Sequence, residues 1–492
     1  MNPLHRLLLG VYGGLWRAVA PFLRRNKRLA EGFADRLLPD GWPFAPRETT
    51  DGKIRLWVQA ASGGEAWLVH SLVPALVREL EVRVIQQGGP SRLEVLCTTC
   101  TRQGLEVLEK LAASCAVDTP AVRILPRYFP LDRPDLMRRA FALFPPDAVV
   151  LLETELWPGL LAAAREVGVP VLTINGRMTA KSLSAYSMIS SFWRAVAPQK
   201  VLAISPDDAW LFTALFGGTP SESGGGHFAP SVWVMPNIKF DRVAESLNQA
   251  LQADQVTSDL RAAAGCPEGA LLCVLASVRE EEEDLLLPAL KALQGLEVDG
   301  APLMLAVAPR HMHRVPAWRE KLGAFGFPHR LRSAGAHPPV WEGAPANLPG
   351  PLPLCLWDTF GELQALYAIA DAVFVGGSLA PLGGQNFLEP PAQGAIPLVG
   401  PHVENFLWVD DDIFSSGLAV QFAGPEGLAD ALLAALSKRR SLLPQAGSPE
   451  KQWRTARAGA AGAVRERFAA WLAPRTGGSE QAARAILASI LP

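Results

Sequence analysis

Six short stretches of this sequence set reactive side chains where an apolar run gives way to a polar turn. In ASGGEAW (61–67), Glu65 opens a helix after two glycines that let a ligand approach the backbone. An acid there either complements the positive helix terminus or serves as a general base. In LLETELWPGL (151–160), Glu153 and Glu155 are two residues apart and share one face if the chain stays extended. Capping of the helix begun by Trp157-Pro158 explains Glu155, whereas Glu153 continues a buried run and needs a partner. Lys239 in PNIKFD (236–241) follows a strand near a presumed hinge, and a lone surface lysine is its simplest reading. In APRHMHR (308–314), Arg310 suits bidentate contact with a phosphate. His311 and His313 are too few for zinc, and no metal site is expected.

The remaining two stretches are DTFGEL (358–363) and VGGSLAPLGGQNFLEPPAQG (375–394). Glycine pairs after a strand, followed by Asn386–Glu389 at an expected helix start, offer backbone N–H groups to an anion. Glu389 in a first helical turn suits the vicinal hydroxyls of a ribose. Two further patterns carry less. Cys97 and Cys100 form a CxxC without a second pair and read as structural. The acidic run Glu280–Asp284 reads as a solvated helix start. Neither GxGxxG after a strand nor GxxxxGK[ST] occurs, which weakens dinucleotide and NTPase readings.

The elements that must position these groups show a repeating rhythm. Apolar runs at 54–60, 93–99, 122–126, 148–153, 169–175 and 200–205 read as buried strands, with helix-length segments such as 65–80, 103–113 and 157–167 between them. The Gly/Pro/Ser-rich stretch 217–231 interrupts, and the rhythm resumes at 271–277, 303–309, 354–357, 372–377, 396–400 and 418–422. Unalternating strands separated by helices predict parallel sheets covered on both faces. Two such series predict an α/β chain with two Rossmann-like doubly wound domains facing an interdomain cleft, with ligands at strand carboxyl ends. The expected organisation is an amino-terminal helix (1–40), a first domain (41–240), a second (241–447), and terminal helices (448–492) free to pack on either. Segment 337–353 reads as a Pro-rich surface loop.

Composition narrows the class. The 492 residues are 49% hydrophobic and 19% charged with net charge −2, which is globular and offers no global field for nucleic acid. Six scattered cysteines fit a reducing compartment. Residues 7–16 are apolar, yet Arg6 and Arg17 bound them, so the run is short of the roughly 20 residues a span needs. Six basic side chains (Arg6, Arg17, Arg24, Arg25, Lys27, Arg28) and no acid precede residue 31. That pattern suits a helix lying on an anionic membrane surface, with ordinary packing on its own domain as the alternative.

Taken in order, WVQAASGGEAW, LETELWPGLLAAAREVGVPVLTINGRMTAKSLSAY, MPNIKFD, APRH, DTFGEL, ADAVFVGGSLAPLGGQNFLEP and PLVGPHVENF resemble the motifs of 3-deoxy-D-manno-octulosonic acid (Kdo) transferases, over about residues 50–440. The resemblance implies a GT-B glycosyltransferase that moves Kdo from CMP-Kdo to a lipid A precursor of lipid IVA type. It implies inversion, no metal or other cofactor, and residence on the cytoplasmic face of the bacterial inner membrane. It also implies Glu65 as general base, Glu153 and Lys239 as transition-state stabilisers, and a CMP site at Pro309, Arg310, Phe360, Gly361, Glu362, Asn386, Phe387, Leu388 and Glu389. The chain departs from the family at three places. Gln59 stands for the histidine of HAxSxGE, Gln385 for that of GGHNPLEP, and the STHEGEE segment runs Ser277-Val278-Arg279-Glu280-Glu281-Glu282-Glu283. Loop 217–231 is longer than usual. The alternatives are a GT-B enzyme for another nucleotide sugar, or a degenerate nucleotide-binding scaffold at the membrane.

Overall fold

The structure is a computed structural model that describes residues 1–25, 30–38, 42, 44, 52–119, 121–217, 231–252, 257–334, 352 and 354–491. Lys27, Arg28, nearly all of the Gly/Pro/Ser-rich loop 217–231 and nearly all of the Pro-rich segment 337–353 lie outside the described residues. The chain forms two units, Met1–Arg242 with Arg475–Pro492, and Val243–Pro474.

The first unit is built on a parallel sheet of β1 (Lys53–Gln59), β2 (Arg92–Thr99), β3 (Val122–Tyr128), β4 (Ala148–Leu152), β5 (Val171–Gly176), β6 (Lys200–Ala203) and β7 (Ser231–Val234). Its order is β3-β2-β1-β4-β5-β6-β7. The winding reverses between β1 and β4, where Gln59 lies opposite Leu151. Loops leaving a sheet at such a reversal diverge and open a crevice. Alternation splits the strand side chains between two cores: Ile54, Leu56 and Val58 join one, and Trp57 joins the other. The closing helix Gly478–Leu487 packs Ala482, Ala483, Ile486 and Leu487 into the first of these cores.

The second unit has β8 (Leu271–Val278), β9 (Glu297–Val298), β10 (Ala301–Pro309), β11 (His329–Leu331), β12 (Leu354–Leu356), β13 (Ala372–Val375), β14 (Pro397–Val399) and β15 (Val420–Gln421). The order is β11-β12-β10-β8-β13-β14-β15, with β9 a short antiparallel partner of β10, and the winding reverses between β8 and β13. Here β8 is uniformly buried, as the unbroken apolar run required. β9 and β11 were not apparent from hydrophobicity, since Glu297-Val298 and His329-Arg330-Leu331 are too short and mixed to show a period. Two doubly wound parallel-sheet units in one chain are the GT-B composition that the motifs implied. The terminal helices divide between them: Glu450–Leu472 belongs to the second unit and Gly478–Leu487 to the first.

Helix Pro3–Leu23 is part of the first unit. It buries His5, Leu9, Gly13 and Ala20, and the Tyr12 hydroxyl donates to Asp132 at 2.9 Å. Its other side carries Leu4, Leu7, Val11, Leu15, Val19 and Phe22, all exposed. No helix among the described residues is long and apolar enough to cross a membrane.

Candidate active site

In the first unit the acids gather at the β1/β4 reversal. Ser62 caps helix Gly63–Gln87, accepting from the Glu65 N–H, while the Glu65 carboxylate accepts from the Ala61 N–H at 2.6 Å and the Ser62 hydroxyl at 2.9 Å. Glu65 thus fulfils the capping role and is nearly buried as well. Burial, then the charge of Glu155 and more weakly that of Glu153, push its carboxyl up to about 8 despite those hydrogen bonds. Glu155 is itself pushed up to about 7 by burial and by Glu153, opposed by hydrogen bonds from Trp157 and Gln59. Two neighbouring carboxyl groups that resist simultaneous ionisation make a strong base of whichever one ionises last.

Glu153 and Glu155 do not share an extended face. Glu153 adopts φ 57°, a left-handed conformation that ends β4 and turns the two carboxylates in different directions. Glu153 meets the Lys239 ammonium at 2.6 Å, supplying the partner that its position demanded. Glu155 accepts from the indole of Trp157 and caps no helix. The amides of Gly159 and Leu160 donate instead to Asp132, both at 2.7 Å. Asp132 is completely enclosed and pushed up to about 7 by burial. Sequence reading missed it because the cap comes from 27 residues upstream.

Lys239 lies in the first turn of helix Ile238–Gln252. Asn175, also left-handed at φ 57°, ends β5 and accepts from the Ile238 N–H at 2.9 Å. Asn237 accepts from the Lys239 N–H at 3.0 Å. Two left-handed strand ends therefore fix the lysine: Asn175 holds the N–H of its neighbour Ile238, and Glu153 holds its ammonium. Gln59, where the resemblance expects histidine, is wholly buried. It accepts from the Thr98 hydroxyl at 2.5 Å and donates toward Cys100 Sγ at 3.7 Å. Cys97 and Cys100 are both free thiols, and Cys97 sits in the core.

In the second unit the predicted nucleotide residues surround the β8/β13 reversal and the adjoining end of β10. Arg310 is exposed just past β10, while Pro309 is buried. Tyr367 bonds Ser277 and feels the charges of both Glu389 and Arg310, which brings these groups together. Phe360 is 89% exposed, its ring open to stack on a base. Gly361 beside it has φ 87°, and Glu362 bonds the Thr359 hydroxyl at 2.6 Å and Arg332 at 3.3 Å. Asn386 accepts from the Leu388 N–H and donates to Glu389 at 2.9 Å. The side chains of Phe387 and Leu388 are buried, Phe387 against Phe406 and Phe414, and offer no side-chain surface of their own.

Three expectations need correction here. Three of the glycine-pair amides are already bonded, Gly376 to the Ala276 carbonyl, Gly384 to the Gly377 carbonyl and Gly377 to Glu282, which also takes the Leu379 N–H at 2.8 Å. The helix expected from Asn386 is a single turn, Glu389–Gln393, too short to add much field. The acidic run does open a helix and Glu280, Glu281 and Asp284 are exposed, but Glu282 and Glu283 are fully buried, and Glu283 pairs bidentately with Arg314 at 2.9 and 2.7 Å. Gly376 is required for packing, since a Cβ there would lie 2.6 Å from the Ser277 carbonyl. The cationic side chain that the sequence reading placed here, Arg310, stands just past the end of β10.

A family model described as 3-Deoxy-D-manno-octulosonic-acid transferase (kdotransferase) matches residues 31–242, ending where the first unit ends. The 3-deoxy-D-manno-octulosonic acid transferase of Bordetella pertussis is 30% identical over 473 residues, covering 94% of this chain and 99% of its own length. This chain belongs to the Kdo transferase family. The Haemophilus influenzae 3-deoxy-D-manno-octulosonic acid transferase is 27% identical over 71% of each chain. Among solved structures, the C-terminal CMP-Kdo binding domain of WaaA from Acinetobacter baumannii is 24% identical over 44% of this chain and 98% of its own length. Its TM-score of 0.29 adds nothing to the argument.

Proposed function

We propose that this protein transfers Kdo from CMP-Kdo to a lipid A precursor of lipid IVA type, with inversion at the anomeric carbon. The single observation that carries the reading is Glu65, a nearly buried carboxyl raised to about 8 at the β1/β4 reversal. Its conjugate base removes the acceptor hydroxyl proton as that oxygen bonds the anomeric carbon, and the C–O bond to CMP breaks with its electron pair leaving on phosphate. One displacement of this kind inverts the centre. Arg310 opposes the charge that develops on the leaving phosphate, and Glu389 holds the ribose hydroxyls. The Glu153–Lys239 pair, 2.6 Å apart, stabilises the transition state. In this reading the cations come from side chains and no resident metal or other cofactor is used.

The membrane part of the reading rests on helix Pro3–Leu23. Its packed side is satisfied by the first unit, yet six large apolar residues remain exposed along the opposite side, with Arg17, Arg24 and Arg25 nearby. An apolar stripe beside arginines binds the headgroup layer of an anionic leaflet, here the cytoplasmic face of the bacterial inner membrane. Incubation with CMP-Kdo and a tetraacylated disaccharide acceptor, with products weighed by mass spectrometry and the new linkage assigned by NMR, tests the chemistry. Addition of Kdo in the inverted configuration, undiminished by EDTA, is expected. Transfer from UDP-sugars alone, or CMP binding without transfer, would replace this reading by one of the alternatives.

A further inference from the structure

One cation at the donor centre has no role in that chemistry. Arg279 leaves the end of β8 directly beside Arg310 at the end of β10, since the Arg310 N–H donates to the Val278 carbonyl at 2.8 Å. Ser277, with φ 54°, turns the chain there. The Arg279 N–H is tied to Glu282 at 3.1 Å, and Glu282 also holds Gly377 and Leu379 after β13. The backbone of Arg279 is therefore anchored at the winding reversal of this sheet, where ligands of doubly wound sheets bind. Its side chain remains 31% exposed, and its one salt bridge among the described residues is to half-exposed Glu281, at 3.6 Å. A solvated pair of that kind contributes little.

The neighbourhood brings two arginines and two imidazoles together. The His311 and His313 rings stack 5.5 Å apart. His311 is held below the ordinary histidine range by burial, then by Arg310 and Arg279. Arg279 and Arg310 are therefore like charges at adjoining strand ends, Arg279 paired only loosely with Glu281 at 3.6 Å, and an anion bound between them would relieve their repulsion. The buried acids beside them, Glu282 and Glu283, are already committed to backbone amides and to Arg314 and Lys321.

We propose that Arg279 is a second anion-binding residue of the donor site, acting beside Arg310 on an oxyanion of the sugar nucleotide. This rests on the reading of the chain as a user of CMP-Kdo, whose two anionic groups are the phosphate and the sugar carboxylate. The family's histidine at this position is a titratable group; Arg279 makes the charge permanent.

The test compares the full-length wild type with R279Q, R279K and R310Q, reading KM for CMP-Kdo by turnover and Kd for CMP by calorimetry. R279Q is expected to weaken CMP-Kdo by about ten-fold or more, with partial rescue in R279K, as loss of a charge-assisted contact implies. An equal loss for CMP assigns Arg279 to the phosphate, and a loss confined to CMP-Kdo assigns it to the carboxylate. Wild-type values for both ligands in a folded R279Q overturn the proposal. Failure of the functional reading looks different: the wild type itself then neither binds CMP nor turns over CMP-Kdo, and R310Q changes nothing.

Discussion

The two units use the same topological device for opposite electrostatic ends. In the first, the reversal between β1 and β4 collects Glu65, Glu153 and Glu155, Lys239 pairs with Glu153, and burial raises the other two carboxyls into the neutral range. In the second, the reversal between β8 and β13 and the neighbouring end of β10 carry Arg279, Arg310, His311 and His313. Glu282 and Glu283 there are buried and already neutralised by backbone amides and basic partners. A parallel sheet supplies diverging loops and says nothing about their charge. Side chains at strand ends decide whether such a crevice handles protons or binds anions.

The largest expected effect separates the two centres outright. Glu65→Gln should lower kcat by about 10²–10⁴ while CMP binding stays within two-fold, whereas Arg310→Gln should weaken CMP about ten-fold and lower kcat as well, as single-turnover rates and calorimetry would reveal. If Glu65→Gln instead weakened CMP and spared turnover, the division of labour would be wrong. Next in size is Glu282→Ala, which leaves the amides of Gly377 and Leu379 buried without their partner. Unfolding of this variant should be easier by about 2–4 kcal/mol, measured by urea denaturation, at no cost to Glu65's acidity.

A smaller effect concerns pH. A carboxylic acid is a base only above its pKa, so with Glu65 near 8 the value of kcat/KM should climb as pH rises through that range. Glu155→Gln removes a like charge that opposes Glu65 ionisation, so the acidic limb should move down by about one pH unit, worth about 1.4 kcal/mol. An unmoved limb would mean that Glu155 does not tune the base. The smallest change tests the closing helix. Asp241 accepts from the amides of Gly477 and Ser479 at 2.7 and 2.6 Å, and a Cβ on Gly478 would lie 2.2 Å from the Pro236 carbonyl. Asp241→Asn should therefore cost about 1 kcal/mol of stability by thermal denaturation and raise KM for the acceptor only slightly.

Much of the architecture was legible because buried strands announce themselves. LLCVLAS admits no solvated face, and β8 indeed has none. Glu65 and Lys239 were legible as candidates because each follows a strand, where side chains of a parallel sheet meet a ligand. The partner of Glu153 was not legible, nor was the cap of helix Pro158–Val167, since Lys239 and Asp132 lie 86 and 27 residues away in the chain. The acidic run misled for a related reason. Composition suggests water around four consecutive glutamates, yet tertiary packing encloses two of them with amide and guanidinium donors.

By itself, then, the sequence determined the alternation of strands and helices, the two-fold repetition of that rhythm, the family, and the residue types at the strand ends. These depend on local hydrophobic period and on motif spacing, which the chain carries in one dimension. Only the tertiary structure decided which amides each carboxylate satisfies, that Glu153 and Asn175 turn left-handed to fix Lys239, and that Arg279 stands beside Arg310. Those outcomes follow from strand order and burial, because adjacency across a sheet and the loss of water around a charge are set only when distant segments meet.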